Sequence, residues 1–200
     1  MRRFTRPLPL LRAILRDDRG ATVMEFALLV PTLCIMLMGL FDMGYNLYAA
    51  SILQGAIHDA ARDSTLEGST PALMDQAVSD AVKNVVPNAT VTASRKAYSN
   101  LSDVGKPEDF DDANSNGICD NGEVFEDANA NGAWDADQGR SGQGSARDVV
   151  AYEVTVTYPR AFPIAAFIGM SKNATLTSST VLRNQPYNQQ QAYNATGNCA

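Results

Sequence analysis

Arg19-Gly-Ala-Thr-Val-Met-Glu-Phe-Ala-Leu-Leu-Val-Pro-Thr-Leu-Cys-Ile-Met-Leu-Met-Gly-Leu-Phe41 decides how the chain is read. From Phe26 to Phe41 no side chain is charged, and Asp42 closes the run. A bilayer-spanning helix needs about 20 apolar residues. Phe26 to Phe41 alone falls short of that length. Adding Ala21 to Met24 supplies it, and places Glu25 inside the apolar segment. An ionised, unpaired carboxylate at such a position costs roughly 2.5–3.5 kcal/mol, so Glu25 reads as a functional residue.

The flanks of this stretch differ sharply. Arg2, Arg3, Arg6, Arg12, Arg16 and Arg19 precede it, whereas half of the acidic residues fall between Asp103 and Asp137. Positively charged flanks stay in the cytoplasm, so the acidic remainder is the exported side. A basic arm directly before an apolar helix sets orientation, and no nucleic-acid partner is expected. A cleaved secretory signal would end in a small-residue site after its apolar core. Here the run leads into Asp42-Met-Gly-Tyr-Asn46, and the helix continues. An uncleaved signal-anchor is the plain alternative.

Gly20 is followed by Ala-Thr-Val-Met-Glu, so Glu25 is the fifth residue after a glycine that ends a basic leader. That arrangement resembles the prepilin class. More narrowly, the sequence from Arg19 to Pro31, with Gly39-Leu-Phe-Asp-Met-Gly44 and Ala56-Ile-His-Asp-Ala-Ala-Arg62, resembles the TadE-like family. Those are minor, pilin-like proteins of the tight-adherence (Tad/Flp) pilus machinery. The likeness covers residues 17 to 62 and is most specific over Arg-Gly-Ala-x-x-x-Glu-Phe-Ala-Leu. It implies a prepilin peptidase cutting between Gly20 and Ala21, and a new terminus followed by Glu25 and Phe26. It also implies other pilin subunits and pilus assembly proteins as partners.

Helical spacing runs from Ala21 to about Leu66, with Pro31 as the expected kink. Tyr45, Tyr48, Ile52, Ala56 and Ala60 mark one face of its second half. The residues around Gly68-Ser-Thr-Pro71 break this helix and start another at Ala72 to Val85, with a buried stripe of Leu73, Ala77, Val78, Ala81, Val82 and Val85. Strands are expected at Thr90–Ser94, Val149–Tyr158 and Asn173–Leu182, the second strongly alternating. Pro159 to Met170 reads as an apolar loop or short helix, and the tail from Gln185 as mobile or accessory. The expected fold class is α+β, a long transmembrane/amphipathic helix packed on a small antiparallel sheet. The pilin-like resemblance implies the same architecture. The domain division is 1–20 leader, 21–66 long helix with its membrane part at about 21–42, and 67–200 exported domain with an insertion at 103–144.

That insertion is rich in Gly, Asn and Asp and poor in apolar residues. Phe110-Asp-Asp-Ala-Asn-Ser-Asn-Gly-Ile-Cys-Asp120 recurs as Phe125-Glu-Asp-Ala-Asn-Ala-Asn-Gly-Ala-Trp-Asp135. The first copy satisfies a calcium-loop pattern with Asp112, Asn114, Asn116, the Ile118 carbonyl, Asp120 and Glu123. The second offers Asp127, Asn129, Asn131, the Ala133 carbonyl and Asp135, but Gln138 at its closing position. Asp137 or a carboxylate of the other copy is a substitute there. One or two calcium ions are expected, bound as in compact extracellular loops rather than helix-loop-helix sensors, because Val124 to Glu126 leave no room for a helix between the copies. The asparagines lower ligand charge and point to a weak site, on the order of 10⁻⁴–10⁻³ M. A disordered acidic loop is the competing reading.

Cys119 and Cys199 both fall on the exported side, where a disulfide persists, although spacing does not decide their pairing. Cys34 reads as a small apolar residue of the membrane segment. His58, the only histidine, has no matched nucleophile, and no catalysis is expected. Two readings remain: a processed minor pilin or pseudopilin contributing to pilus biogenesis and adhesion, and an uncleaved, membrane-anchored, calcium-dependent adhesive or ligand-binding protein. The expected location is the bacterial inner membrane, with the amino terminus cytoplasmic and the domain periplasmic, or an extracellular pilus.

Overall fold

A computed structural model describes residues 21–64, 70–120, 122–163, 169–184 and 195–200. The leader with Gly20, Leu66 and Gly68, the apolar residues Ile164, Phe167 and Ile168, and most of the Gln/Asn-rich tail lie outside the described residues. The fold is α+β. Helix α1 spans Ala21–Asp63 and contains Pro31, where one backbone donor is missing. Helix α2 spans Pro71–Val85, and the Thr70 hydroxyl caps it by accepting from the Leu73 N–H at 3.4 Å. Strands follow as β1 (Thr90–Tyr98), β2 (Val124–Asp127), β3 (Arg140–Ser141), β4 (Val149–Pro159), β5 (Asn173–Arg183) and β6 (Ala195–Asn198).

The chain divides into two compact units. One contains residues 21–45 of α1 and the described parts of 161–171. Here the apolar side chains of α1 are uncovered: Met24, Phe26, Leu28, Leu33, Met36, Leu40 and Phe41 are all exposed. The helix is long and apolar enough to cross a membrane, with a mean hydropathy of 2.1 over its most apolar window. Phe41 stacks on Phe162 with centroids 6.0 Å apart.

The other unit is built on an antiparallel sheet in the order β3-β1-β4-β5. Strand β4 is central, pairing Thr157 with Thr90 on one side and Thr175 on the other. Its alternation sorts the faces, because successive side chains point to opposite sides. Val150, Tyr152, Val154, Val156 and Tyr158 are buried along one face. They share the core with Ala49, Leu53, Ile57 and Ala60 of α1 and Met74, Val78 and Val82 of α2. Two tyrosine hydroxyls on β4 tie sheet to helices: Tyr158 donates to Asn46 Oδ1 at 2.6 Å and Tyr152 to Asp75 Oδ1 at 2.8 Å.

Several expectations are corrected. The buried row of α1 is Ala49-Leu53-Ile57-Ala60, while Tyr48 is exposed. In α2 Val78 and Val82 are buried as expected, but Met74 completes their row and Leu73 is exposed. In both helices neighbouring apolar rows lie only about 100° apart, so spacing alone does not choose between them. Strand β1 continues to Tyr98, four residues beyond the expected Ser94. The end of the tail is no accessory: β6 pairs with β2 in a second, two-stranded sheet.

Candidate functional site

Glu25 and Phe26 lie in the first turns of α1, and both are exposed. Ala21 is the first residue of that helix. The helix therefore begins with a surface that carries a lone carboxylate among apolar side chains.

The second candidate site is the duplicated insertion. The two copies meet in an antiparallel bridge between Phe110 and Phe125. The Asp111 N–H donates to the Val124 carbonyl at 2.9 Å and the Glu126 N–H to the Asp109 carbonyl at 2.8 Å. Within the first loop, Asp112 accepts from the N–H groups of Asn116 at 3.0 Å and Gly117 at 2.8 Å. The Asn116 side-chain oxygen accepts from Ile118 N–H at 2.7 Å. The amides of Asn114 and Asn116 donate to Asp120 at 3.1 and 3.0 Å. The second loop repeats this pattern. Asp127 accepts from Asn131 at 3.1 Å and Gly132 at 2.9 Å, Asn131 accepts from Ala133 N–H at 2.8 Å, and Asn129 and Asn131 donate to Asp135. Backbone conformation repeats too: Ser115 and Ala130 both have φ of 60°, and Gly117 and Gly132 have φ of 76° and 80°. The left-handed turn explains the glycine at each sixth position, since a Cβ is strained there.

The two loops are closed by different kinds of neighbour: the first by the expected Glu123, the second by a residue from before the first loop. Glu123 closes the first loop, accepting from Ala113 N–H at 3.0 Å and Asp120 N–H at 3.2 Å. The equivalent bonds in the second loop, from Ala128 N–H at 2.9 Å and Asp135 N–H at 3.0 Å, go to Glu108. Gln138 is engaged elsewhere: its N–H donates to the Lys106 carbonyl at 2.9 Å and its side chain reaches the Asp103 carbonyl at 3.5 Å. Asp137 is held by Lys96 at 2.5 Å and Tyr98 at 2.9 Å. A signal for Glu108 does exist in the chain, because Glu108-x-Phe110-x-Asp112 matches Glu123-x-Phe125-x-Asp127. Each glutamate precedes one loop and closes the other, so the two loops form one interlocked unit. Glu108, Glu123 and Asp127 are all buried.

Each loop is thus tied together through three carboxylates, each held by backbone N–H or Asn amide donors: Asp112, Asp120 and Glu123 in one, Asp127, Asp135 and Glu108 in the other. Backbone N–H groups and Asn amides offset their mutual repulsion. All donors to a cation would be oxygens, a set suited to calcium or magnesium rather than to softer metals. Among the described residues, no three His, Cys, Asp or Glu side chains converge as a metal-holding group.

Aromatic packing braces the unit. The Trp134 indole donates to the Glu108 carbonyl at 2.8 Å, and its ring meets Phe110 edge-on at 5.8 Å. Cys119 occupies the place in the first copy that Trp134 has in the second, and it is joined by a disulfide to Cys199 just after β6. Phe125 is buried against Gly197 of β6.

Polar ties hold the flanking sheet. Arg95 contacts both Asp75 oxygens, at 3.0 and 2.6 Å, and its guanidinium lies over the Tyr152 ring at 4.4 Å. Burial works to raise the Asp75 pKa, but the bonds from Arg95 and Tyr152 outweigh it and hold the carboxyl below its ordinary value. Burial, followed by the bond to Asp137, pushes the Tyr98 hydroxyl up to about 12.

Residues 20–62 match a family model described as TadE-like protein. The match begins at the glycine of the proposed cut and ends one residue before the end of α1. No curated protein and no solved structure matches the chain. The family match and the uncovered apolar helix are consistent with a Tad pilus-associated protein anchored in a membrane.

Proposed function

We propose that this chain is a minor pilin or pseudopilin of a tight-adherence pilus system, inserted in a bacterial inner membrane through α1. The observation that carries the reading is the TadE-like match over residues 20–62, coincident with a basic leader, Gly20, Glu25 and an exposed apolar helix. In this reading a prepilin peptidase cuts after Gly20, and the new amino group at Ala21 is the cation that pairs with Glu25 of a neighbouring subunit. Such pairing settles a carboxylate that would be costly in lipid. The domain after α1 lies in the periplasm or on the pilus, and the protein's work is assembly and adhesion, without catalysis.

The insertion is proposed to hold one or two calcium ions. Asp112, Asn114, Asn116, the Ile118 carbonyl, Asp120 and Glu123 would serve one. Asp127, Asn129, Asn131, the Ala133 carbonyl, Asp135 and Glu108 would serve the other, with Glu108 replacing Gln138. The ion would neutralise carboxylates that otherwise repel, and so stabilise a segment that buries few apolar groups.

Intact mass and amino-terminal sequencing of the protein from native membranes test the first part. A chain beginning at Ala21 is expected. A chain still beginning at Met1 overturns processing and favours the uncleaved, calcium-dependent anchored protein. Calcium titration of the purified full chain tests the second part, independently of the cut.

A further inference from the structure

The connection between β4 and β5 is unusual in composition. Ala161-Phe-Pro-Ile-Ala-Ala-Phe-Ile-Gly-Met170 carries no charged side chain, with Arg160 before it and Ser171-Lys172 after it. Its base is closed by the Arg160 N–H donating to the Lys172 carbonyl at 3.0 Å. Ala161, Pro163, Gly169 and Met170 are exposed, Met170 at 48%. Exposed apolar side chains such as Pro163 and Met170 are not what water favours. The described residues 161–163 and 169–171 belong to the same compact unit as the apolar half of α1.

Phe162 stacks on Phe41, the last residue before Asp42 ends the uncharged run. At 1.5 Å per residue, Phe41 lies about 30 Å along the helix from Ala21. That is about the thickness of a bilayer's hydrocarbon core. A helix that starts at one interface with Ala21 therefore brings Phe41, and Phe162 with it, to the opposite interface.

We propose that Phe162, Pro163 and Met170, between β4 and β5, form a second membrane contact, seated in the outer interfacial layer of the bilayer that α1 crosses. Phe162, Pro163 and Met170 enter the acyl boundary. Aromatic and cationic side chains favour that layer because one end is apolar and the other wet. The composition of Ile164–Ile168 agrees, and the proposal does not use their placement. It rests on the membrane-anchor reading of α1. Its function would be to hold the exported end of the helix at a set depth.

The test uses the full chain reconstituted in phosphatidylethanolamine/phosphatidylglycerol vesicles containing lipids brominated near the headgroup. Phe162→Trp, Met170→Trp and, separately, Phe41→Trp are compared with the parent, whose Trp134 supplies the background. Quenching at Phe162→Trp and Met170→Trp comparable with that at Phe41→Trp, and several-fold above the parent, supports the loop contact. Quenching at Phe41→Trp alone overturns it and leaves the anchor intact. Parent-level quenching at all three positions overturns the anchor reading and the loop contact together.

Discussion

Glu108→Gln separates the structural reading of the second loop from the sequence reading. Glu108 is 1% exposed, and its carboxylate accepts from Ala128 N–H at 2.9 Å, Asn129 N–H at 3.4 Å and Asp135 N–H at 3.0 Å. Glutamine preserves shape and one acceptor oxygen, but sets an amide donor against the Asp135 N–H. One charge-assisted bond, worth about 1.5–3 kcal/mol, is lost and a buried donor is left without a partner. The expected cost is about 2–4 kcal/mol, a large fraction of the roughly 5–15 kcal/mol typical of a folded domain. Gln138→Ala removes only a 3.5 Å contact to the Asp103 carbonyl. That change should cost less than about 1 kcal/mol. The assay is denaturant unfolding of the full chain in detergent, in chelator and in calcium. At 100 times its dissociation constant, an ion stabilises by about 2.7 kcal/mol per site. The parent and Gln138→Ala should both gain about 5 kcal/mol from two sites, and Glu108→Gln about half of that. If Gln138→Ala loses a site while Glu108→Gln keeps both, the reciprocal closure is wrong. If calcium does not stabilise the parent, the calcium proposal itself falls.

The disulfide between Cys119 and Cys199 spans a sequence separation of 80 residues. Chain entropy then predicts that Cys119→Ser with Cys199→Ser lowers stability by about 4.5 kcal/mol, read from unfolding midpoints. At Gly197 an added Cβ would collide with the buried Phe125 ring, so Gly197→Val should cost at least about 1–3 kcal/mol. Gly55, in mid-helix with open space around it, should gain up to about 1 kcal/mol on change to Ala, and calorimetry compares the two. The folded-state pKa of Asp75 is depressed. Its contribution is therefore present above the unfolded value of about 3.9 and lost as pH falls through the folded value. Asp75→Asn should flatten the acid limb of stability against pH. The Tyr98 pKa is raised to about 12, so its contribution is present below about pH 10 and fades between there and pH 12. Tyr98→Phe should flatten that alkaline limb.

Much of the fold is legible because its elements are long and strongly patterned. The alternation of Val150, Tyr152, Val154, Val156 and Tyr158 marks β4 without ambiguity. The bounds of α2 follow from Thr70-Pro71 and Pro87. What escaped is what only packing decides. Neighbouring apolar positions compete on each helix, and packing selects Ala49, Leu53 and Ile57 over Tyr48 on α1 and Met74 over Leu73 on α2. Strand β6, Ala-Thr-Gly-Asn, has no strand-like composition; it exists because β2 pairs with it and Cys199 is tied to Cys119. A contiguous loop pattern places the closing residue of the second loop downstream, at Gln138. The partner Glu108 lies nineteen residues before Asp127, and only the pairing of the two copies brings it there.

The insertion holds its place by ties that differ in kind from those of the sheet. Phe125 is its principal buried apolar side chain, while half of the chain's acidic residues fall within it. Hydrophobic burial therefore contributes little there, and charge opposes compaction. Order comes from the Cys119–Cys199 bond, the pairing of β3 with Lys96 and Ala97 of β1, the Lys96–Asp137 and Arg140–Asp148 ion pairs, and the two glutamate closures. Each is a polar or covalent restraint that a reagent can remove without touching the apolar core. Segments with few buried apolar contacts open at lower free energy than the core they join. Under reductant and chelator, limited proteolysis of the full chain should accordingly begin between residues 103 and 144, leaving β1, β4 and β5 as resistant fragments. Calcium added back without reoxidation should slow that cleavage, if the ion supplies what the carboxylates lack. First cuts within β4 or β5 under those conditions would show that the insertion shares the stability of the sheet, and would refute this separation of forces.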